Sequence, residues 1–277
     1  MLEFLEKTAK DAGKILLKHL NHLRPEDIHG KGTAIRDMQT KADIESEKLI
    51  VNTITQRFPT HSIYAEESSW IIRDEKHWWI IDPLDGTVNF TRRLPFFSVS
   101  IAYYADGKPE AGVVFAPQLD EMFLARRNQG TFCNGMKCKV SQAQALNKSI
   151  LASGFSYYRN ELRNNNFETF TQFGLKARGV RRFGSAAIDL AYVADGRFDG
   201  FWEFYLSPWD VAAGILLIEE AGGKVTDYQG SDDYKNFIFD KSIAASNGLI
   251  HSEIIDLMIA PDDNFPQKMP VPKIFLK

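Results

Sequence analysis

Apolar residues recur at helical spacing from the start of the chain. Leu2, Leu5, Ala9, Ala12, Leu16 and Leu20 form one stripe, which predicts an amphipathic opening helix. Residues 29–39 are polar and Gly-bearing and read as a loop. A second helix is expected from about Thr40 to Phe58, with Ile44, Val51, Ile54 and Phe58 on its inner face and Pro59 ending it. The apolar runs 62–65 and 78–81 read as strands. Residues 98–104, 110–116 and 121–125 form an antiparallel meander with turns at Asp106-Gly107 and Pro117-Gln118. Asn134-Gly135 is a tight-turn pair.

After about residue 145 strands alternate with helices. Strands are expected at 151–155, 179–183, 198–204, 224–227 and 243–245. Helices are expected at 160–173, 185–194, 208–221 and 249–259. Mixed elements in both halves point to an α+β chain of layered sheets and helices. The rhythm divides it into residues 1–145 and 146–277, two parts of one compact unit. The tail 261–277 carries Pro261, Pro266, Pro270 and Pro272 and reads as an extended or disordered end.

Composition narrows the function. Lys plus Arg number 33 and Asp plus Glu 36 across 277 residues, a net charge of −3. That disfavours electrostatic capture of nucleic acid, which calls for a net basic field. Two cysteines, Cys133 and Cys138, exclude a disulfide-rich scaffold, and no Cys or His pair beside them suggests zinc. No apolar run spans a bilayer. Glu3, Glu6 and Asp11 interrupt the opening segment, so it does not read as a signal peptide, and a cytoplasmic location is expected.

Three segments carry candidate chemistry. The run 78–90 (WWIIDPLDGTVNF) leads an apolar strand into a turn with Asp82 and Asp85 three residues apart. Pro83 fixes one backbone angle and Gly86 permits an unusual one. Carboxylates converging in such a turn repel unless a cation sits between them, and hard oxygen ligands suit Mg2+. A well-formed turn without a metal explains the same residues. At 207–214 (SPWDVAAG) Ser207 is an N-cap, Pro208 opens the helix and Asp210 lies in the first turn, where it also suits the helix dipole. Glu66 and Glu67 follow the strand at 62–65 and equally suit solvent. No Ser or Cys sits in a nucleophile elbow, which favours direct attack by water.

DPLDGTVNF at 82–90, WDVAAG with EAGG at 209–223, and AEES at 65–68 resemble the signatures of the inositol monophosphatase family, Mg2+-dependent, lithium-sensitive phosphatases. The resemblance runs over roughly residues 5–260. It implies the family's layered α-β-α-β-α sandwich, shared with fructose-1,6-bisphosphatase. It implies metal ligation by Glu66, Asp82, the Leu84 carbonyl, Asp85 and Asp210. Asp82 would bridge two Mg2+, with a third, weaker ion near Glu66. Asp43 and Thr87 would activate the attacking water, with Glu66 as the third catalytic residue, and the Gly86–Thr87 backbone would grip the phosphate. Gly184, Ser185, Ala186, Glu203, Asp210 and Arg181 would meet the polyol. Asp43 also completes a capping pattern with Thr40; Glu203, Arg181 and the loop residue Lys31 also read as surface charges.

The implied activity is hydrolysis of a polyol phosphate, foremost myo-inositol monophosphate, by a homodimer without nucleic-acid or membrane partners. Fructose-1,6-bisphosphatase and histidinol-phosphatase activities are alternatives, with the loops 24–38 and 155–166 deciding among them. An inactive phosphatase scaffold serving as a ligand-binding or protein-interaction module is the alternative of another class.

Overall fold

The computed structural model describes residues 1–30, 37–234, 238 and 242–261. Lys31 and the tail beyond Pro261 lie outside the described residues. Helix α1 (Leu2–His22) buries Leu5, Ala9, Ala12, Leu16 and Leu20, the stripe expected of it. A two-stranded ribbon, β1 (Ile28–Gly30) with β2 (Met38–Thr40), leads into α2 (Lys41–Arg57).

Eight strands form the first sheet: β3 (Ser62–Ala65), β4 (Ser69–Ile71), β5 (His77–Asp85), β6 (Ser98–Ala105), β7 (Lys108–Ala116), β8 (Glu121–Arg126), β9 (Gly130–Cys133) and β10 (Met136–Lys137). Their order is β10-β9-β8-β7-β6-β5-β3-β4, and the short helix α3 (Thr87–Thr91) follows β5. All pairs are antiparallel except β3 with β5. The meander is therefore as the alternation foretold. Asn134 and Gly135 both take positive φ, 48° and 82°, which matches the right-handed strand twist in a two-residue hairpin.

Five strands form the second sheet, in the order β12 (Gly179–Arg181), β11 (Ile150–Ser153), β13 (Gly200–Phe204), β15 (Ser242–Ser246) and β14 (Lys224–Thr226). Strand β11 runs parallel to both neighbours, and β15 is antiparallel to both of its own.

Three apolar clusters separate the layers. One joins α1 and α2 to the outer face of the first sheet, with Trp79 and Phe97 fully buried. A second surrounds α5 (Ala186–Ala194) and α6 (Pro208–Glu220) between the two sheets. The third packs α4 (Phe167–Lys176) and the short helix His251–Ile255 on the far face of the second sheet, around Trp202 and Phe173. Helix, sheet, helix pair, sheet, helix is the α-β-α-β-α stack expected from the sequence. Helices α5 and α6 read as apolar all round because both of their sides face a sheet. Among the described residues no helix is long and apolar enough to cross a membrane.

Several expectations need correcting. The stretch 29–39, read as a loop, contributes to the β1–β2 ribbon at both ends, and the helix expected at 249–259 covers His251–Ile255. Ile44 is 47% exposed; the inner face of α2 is Ala42, Asp43, Ser46, Glu47, Ile50 and Ile54. The helix expected at 160–173 begins only at Phe167. Asn166 holds φ at 72° and spends its side chain on others: Nδ2 donates to the Gly154 carbonyl (2.7 Å) and Ser153 Oγ (3.0 Å), while Oδ1 accepts from the Trp202 indole (2.8 Å). These bonds, all to residues distant in sequence, hold Asn166 in a left-handed backbone conformation that a right-handed helix cannot run through.

Candidate active site

Strand β5 sets the site. Its register against β6 shifts between Asp82 and Asp85. Pro83, which has no N–H to give the ladder, sits inside that bulge. Asp82 Oδ1 accepts the Leu84 N–H at 2.9 Å, closing a small turn. Gly86 follows at φ 87°, and a Cβ there would meet the Phe96 carbonyl at 2.8 Å and the Gly184 carbonyl at 3.2 Å. Glycine is thus required twice, by its backbone angle and by the close approach of the second half of the chain.

The polar face of α2 pins this turn from below. Asp43 Oδ2 accepts from the Thr40 N–H (2.8 Å) and hydroxyl (2.6 Å), while Oδ1 accepts from Thr87 Oγ1 at 3.2 Å. Asp43 therefore caps the helix and meets Thr87 at once. Ser46 Oγ donates to the Pro83 carbonyl at 3.0 Å, and Glu47 Oε2 accepts the Glu67 N–H at 2.7 Å. One helix face so fixes the Thr87 hydroxyl, the bulge and the turn carrying Glu66.

Helices α5 and α6 close the site from the other side. Asp85 Oδ2 accepts from Ser185 Oγ at 2.5 Å and from the Ala187 N–H at 2.8 Å. Asp210, three residues into its helix, accepts the Ser207 N–H at 2.6 Å. Carboxylate oxygens of Asp82, Asp85 and Asp210 all come within 4.8 Å of one another.

These residues border a cleft of about 370 Å³ that also takes in Glu66, Leu84, Gly86, Thr87, Gly184, Ser185, Ala186 and Glu203. Arg181 is exposed and does not border it; its neighbour Arg182 does. Sequence reading also missed Tyr157, from the loop after β11, and Asp189, on α5. Asp189 had a visible signal: it is the one charged residue in the helix AAIDLAYVA.

The carboxyls are electrostatically unhappy alone. Burial, then the charges of Glu66, Asp85 and Asp210, hold Asp82 well above the usual carboxylate range. Burial pushes Asp85 up to about 6, against the pull of its Ser185 and Ala187 hydrogen bonds. Asp43 rises to about 7, burial first and then Glu66 and Glu67, with the Thr40 hydrogen bond opposing. Clustered hard oxygen donors, too close to stay charged without a counter-ion, fit a divalent cation.

Two layered sheets meeting at a carboxylate-lined cleft define the fold of the inositol monophosphatase-type phosphatases. The chain belongs to the inositol monophosphatase family, whose model matches residues 1–260, and that family is metal-dependent. It is 41% identical over 235 residues to the Nus factor SuhB of Escherichia coli, covering 84% of this chain and 87% of that one. It is 38% identical over 265 residues to a fructose-1,6-bisphosphatase/inositol-1-monophosphatase of Thermotoga maritima, covering 93% and 95%. The structure superposes on an inositol monophosphatase from Anabaena with a TM-score of 0.82 at 41% identity, covering 92% and 94%.

Proposed function

We propose that the cleft hydrolyses phosphate monoesters of polyols, myo-inositol monophosphate foremost, with Mg2+ bound. The observation that carries this reading is the approach of Asp82, Asp85 and Asp210 to within 4.8 Å beside the Thr87–Asp43 pair. Glu66, Asp82, the Leu84 carbonyl, Asp85 and Asp210 would hold two ions, with a third, weaker one near Glu66. Bound there, Mg2+ supplies Lewis-acid charge that offsets the charge of the phosphate and activates water at neutral pH.

The chain's own residues then do the positioning on which phosphoryl transfer depends. Thr87 has a single hydroxyl proton, shared between Asp43 Oδ1 at 3.2 Å and the Leu84 carbonyl at 3.1 Å. Its lone pairs are left to accept from a water and aim it in line with the ester bond. Asp43 receives the proton relayed through Thr87. The Gly86–Thr87 backbone grips the phosphate, and the turn Gly184-Ser185-Ala186 with Glu203 and Asp210 meets the alcohol. Arg181 lies outside the cleft, so in this reading Arg182 takes the place assigned to it.

The test is phosphate release from a panel of monoesters (inositol 1-phosphate, fructose 1,6-bisphosphate, histidinol phosphate, an aryl phosphate) with Mg2+, with and without EDTA. Chelator-sensitive release fastest on a polyol ester is expected; release that ignores EDTA, or none, overturns the reading. The same reading extends to a homodimer, checked by sedimentation velocity, and to inhibition by Li+, checked in the same assay. Similarity to proteins named Nus factor supports a second reading, a protein-interaction role on the same scaffold. An Asp82→Asn variant that loses phosphate release yet complements loss of the chain in its host would favour it.

A further inference from the structure

Asp189 stands on α5 one turn beyond Ser185, about 6 Å along the helix axis by the usual rise. It borders the cleft together with Glu203 and Arg182. The residue is 2% exposed, and among the described residues its Oδ1 has no hydrogen-bond partner. Every other residue of α5 is uncharged and buried. No hydrogen bond among the described residues calls for that oxygen, and burying it carries a desolvation cost that an apolar side chain would not. Burial first, then the charges of Glu203 and Asp85, push its carboxyl well above the usual range, with Arg182 opposing. A buried polar atom without a partner is rare in proteins and points to a group that arrives later.

Placement says which group. The Asp82–Asp85 turn is bound to the first turn of α5 through Ser185 and Ala187. An ester whose phosphate rests at that turn presents not its reacting oxygen but its remaining hydroxyls to the deeper part of α5. Glu203 stands there on β13, its carboxylate lying against the bare α-carbon of Gly154. Two carboxyls bordering one cleft can accept from two hydroxyls of one alcohol.

We propose that Asp189 is a specificity-determining residue that, with Glu203, accepts hydrogen bonds from adjacent hydroxyls of a cyclic polyol or sugar. This rests on the phosphatase reading for its catalytic readout only. A leaving group without such hydroxyls leaves the Asp189 oxygen unpaired, and a site built to hydrogen-bond a hydroxyl rejects an analogue that lacks it. Asp189 thus costs stability and serves selectivity.

The experiment compares Asp189→Ala and Asp189→Asn with the unaltered protein on inositol 1-phosphate and 4-nitrophenyl phosphate in Mg2+. For Asp189→Ala, kcat/KM on the inositol ester should fall tenfold or more, while the aryl ester changes less than threefold. Asp189→Asn, close in shape, should lose less, and its thermal midpoint without ligand should equal or exceed that of the unaltered protein. Equal losses on both esters, or none on the inositol ester, overturn the proposal. A readout without turnover is binding of phosphate-free myo-inositol, followed by saturation-transfer NMR at millimolar ligand. The signal should be present in the unaltered protein and absent in Asp189→Ala; persistence in the variant, or absence in both, also overturns it. Should no ester be hydrolysed at all, the phosphatase reading fails, and the NMR result decides Asp189 by itself.

Discussion

His251 gives a stability prediction whose size can be worked out. Its ring is 4% exposed and lies between Thr226 and Ser246. Thr226 Oγ1 donates its proton to the Asp227 carbonyl at 2.8 Å, so toward Nε2, also at 2.8 Å, it can only accept. Ser246 Oγ accepts the Gly248 N–H at 3.0 Å and is left to donate to Nδ1 at 2.9 Å. The neutral ring protonated on Nε2 satisfies all four groups. A proton on Nδ1 would break the Ser246 bond and bury a cation. Burial, helped by the charge of Lys224, lowers the ring from 6.5 to about 4. The unfolded chain therefore binds a proton at a pH where the folded chain does not. This contribution is full above pH 6.5 and is lost as pH falls toward 4. Each unit of difference is worth about 1.4 kcal/mol, so the whole window amounts to roughly 3 kcal/mol and the step from pH 7.5 to 5 to about 2 kcal/mol. Urea unfolding of the unaltered protein and of His251→Gln at pH 7.5, 6 and 5 measures it, because the other titrating groups cancel in the difference. The stability gap between the two should change by about 2 kcal/mol in favour of the variant between pH 7.5 and 5. A gap that stays constant with pH refutes the reasoning.

Two further outcomes concern the cleft. Asp82→Asn removes a buried carboxyl crowded by three others; it should abolish Mg2+-dependent turnover while leaving the fold intact. Thermal melts with and without MgCl2 check this, and a variant that Mg2+ still stabilises as it does the unaltered protein would count against the ligand role. Gly154→Ala places a Cβ where the Glu203 carboxylate lies. It should reduce kcat/KM on the inositol ester about tenfold, a loss of roughly 1.4 kcal/mol, with little effect on an aryl ester; similar rates on both would show that Glu203 does not touch the alcohol.

Much of this architecture was legible from residues alone, for reasons that differ by element. The meander was readable because one face alternates and the turns Asp106-Gly107 and Asn134-Gly135 accept positive φ. The boundaries of α6 were readable from Ser207, Pro208 and the glycines at 222 and 223. The inner face of α2 was not. Apolar periodicity assumes that what is buried is apolar, and here Asp43, Ser46 and Glu47 are buried because they hold the site. Asp82, Asp85 and Asp210 were readable as a motif. Asp189 was not, because a lone acid in a helix means little until its surroundings are known. Arg181 and Arg182 differ by one position along an exposed segment, and only the three-dimensional path decides which of them borders the cleft.

The bonds from Ser185 and Ala187 to Asp85 have a bearing on how such chains can be recombined. A hybrid that takes residues up to about 145 from one relative and the remainder from another inherits each partner of that handshake from a different parent. Even with two well-behaved parents, the hybrid works only if serine and backbone at 185–187 arrive at the same height as the borrowed aspartate. Splicing near residue 145 therefore tests whether two foreign halves can bring those groups within hydrogen-bond reach.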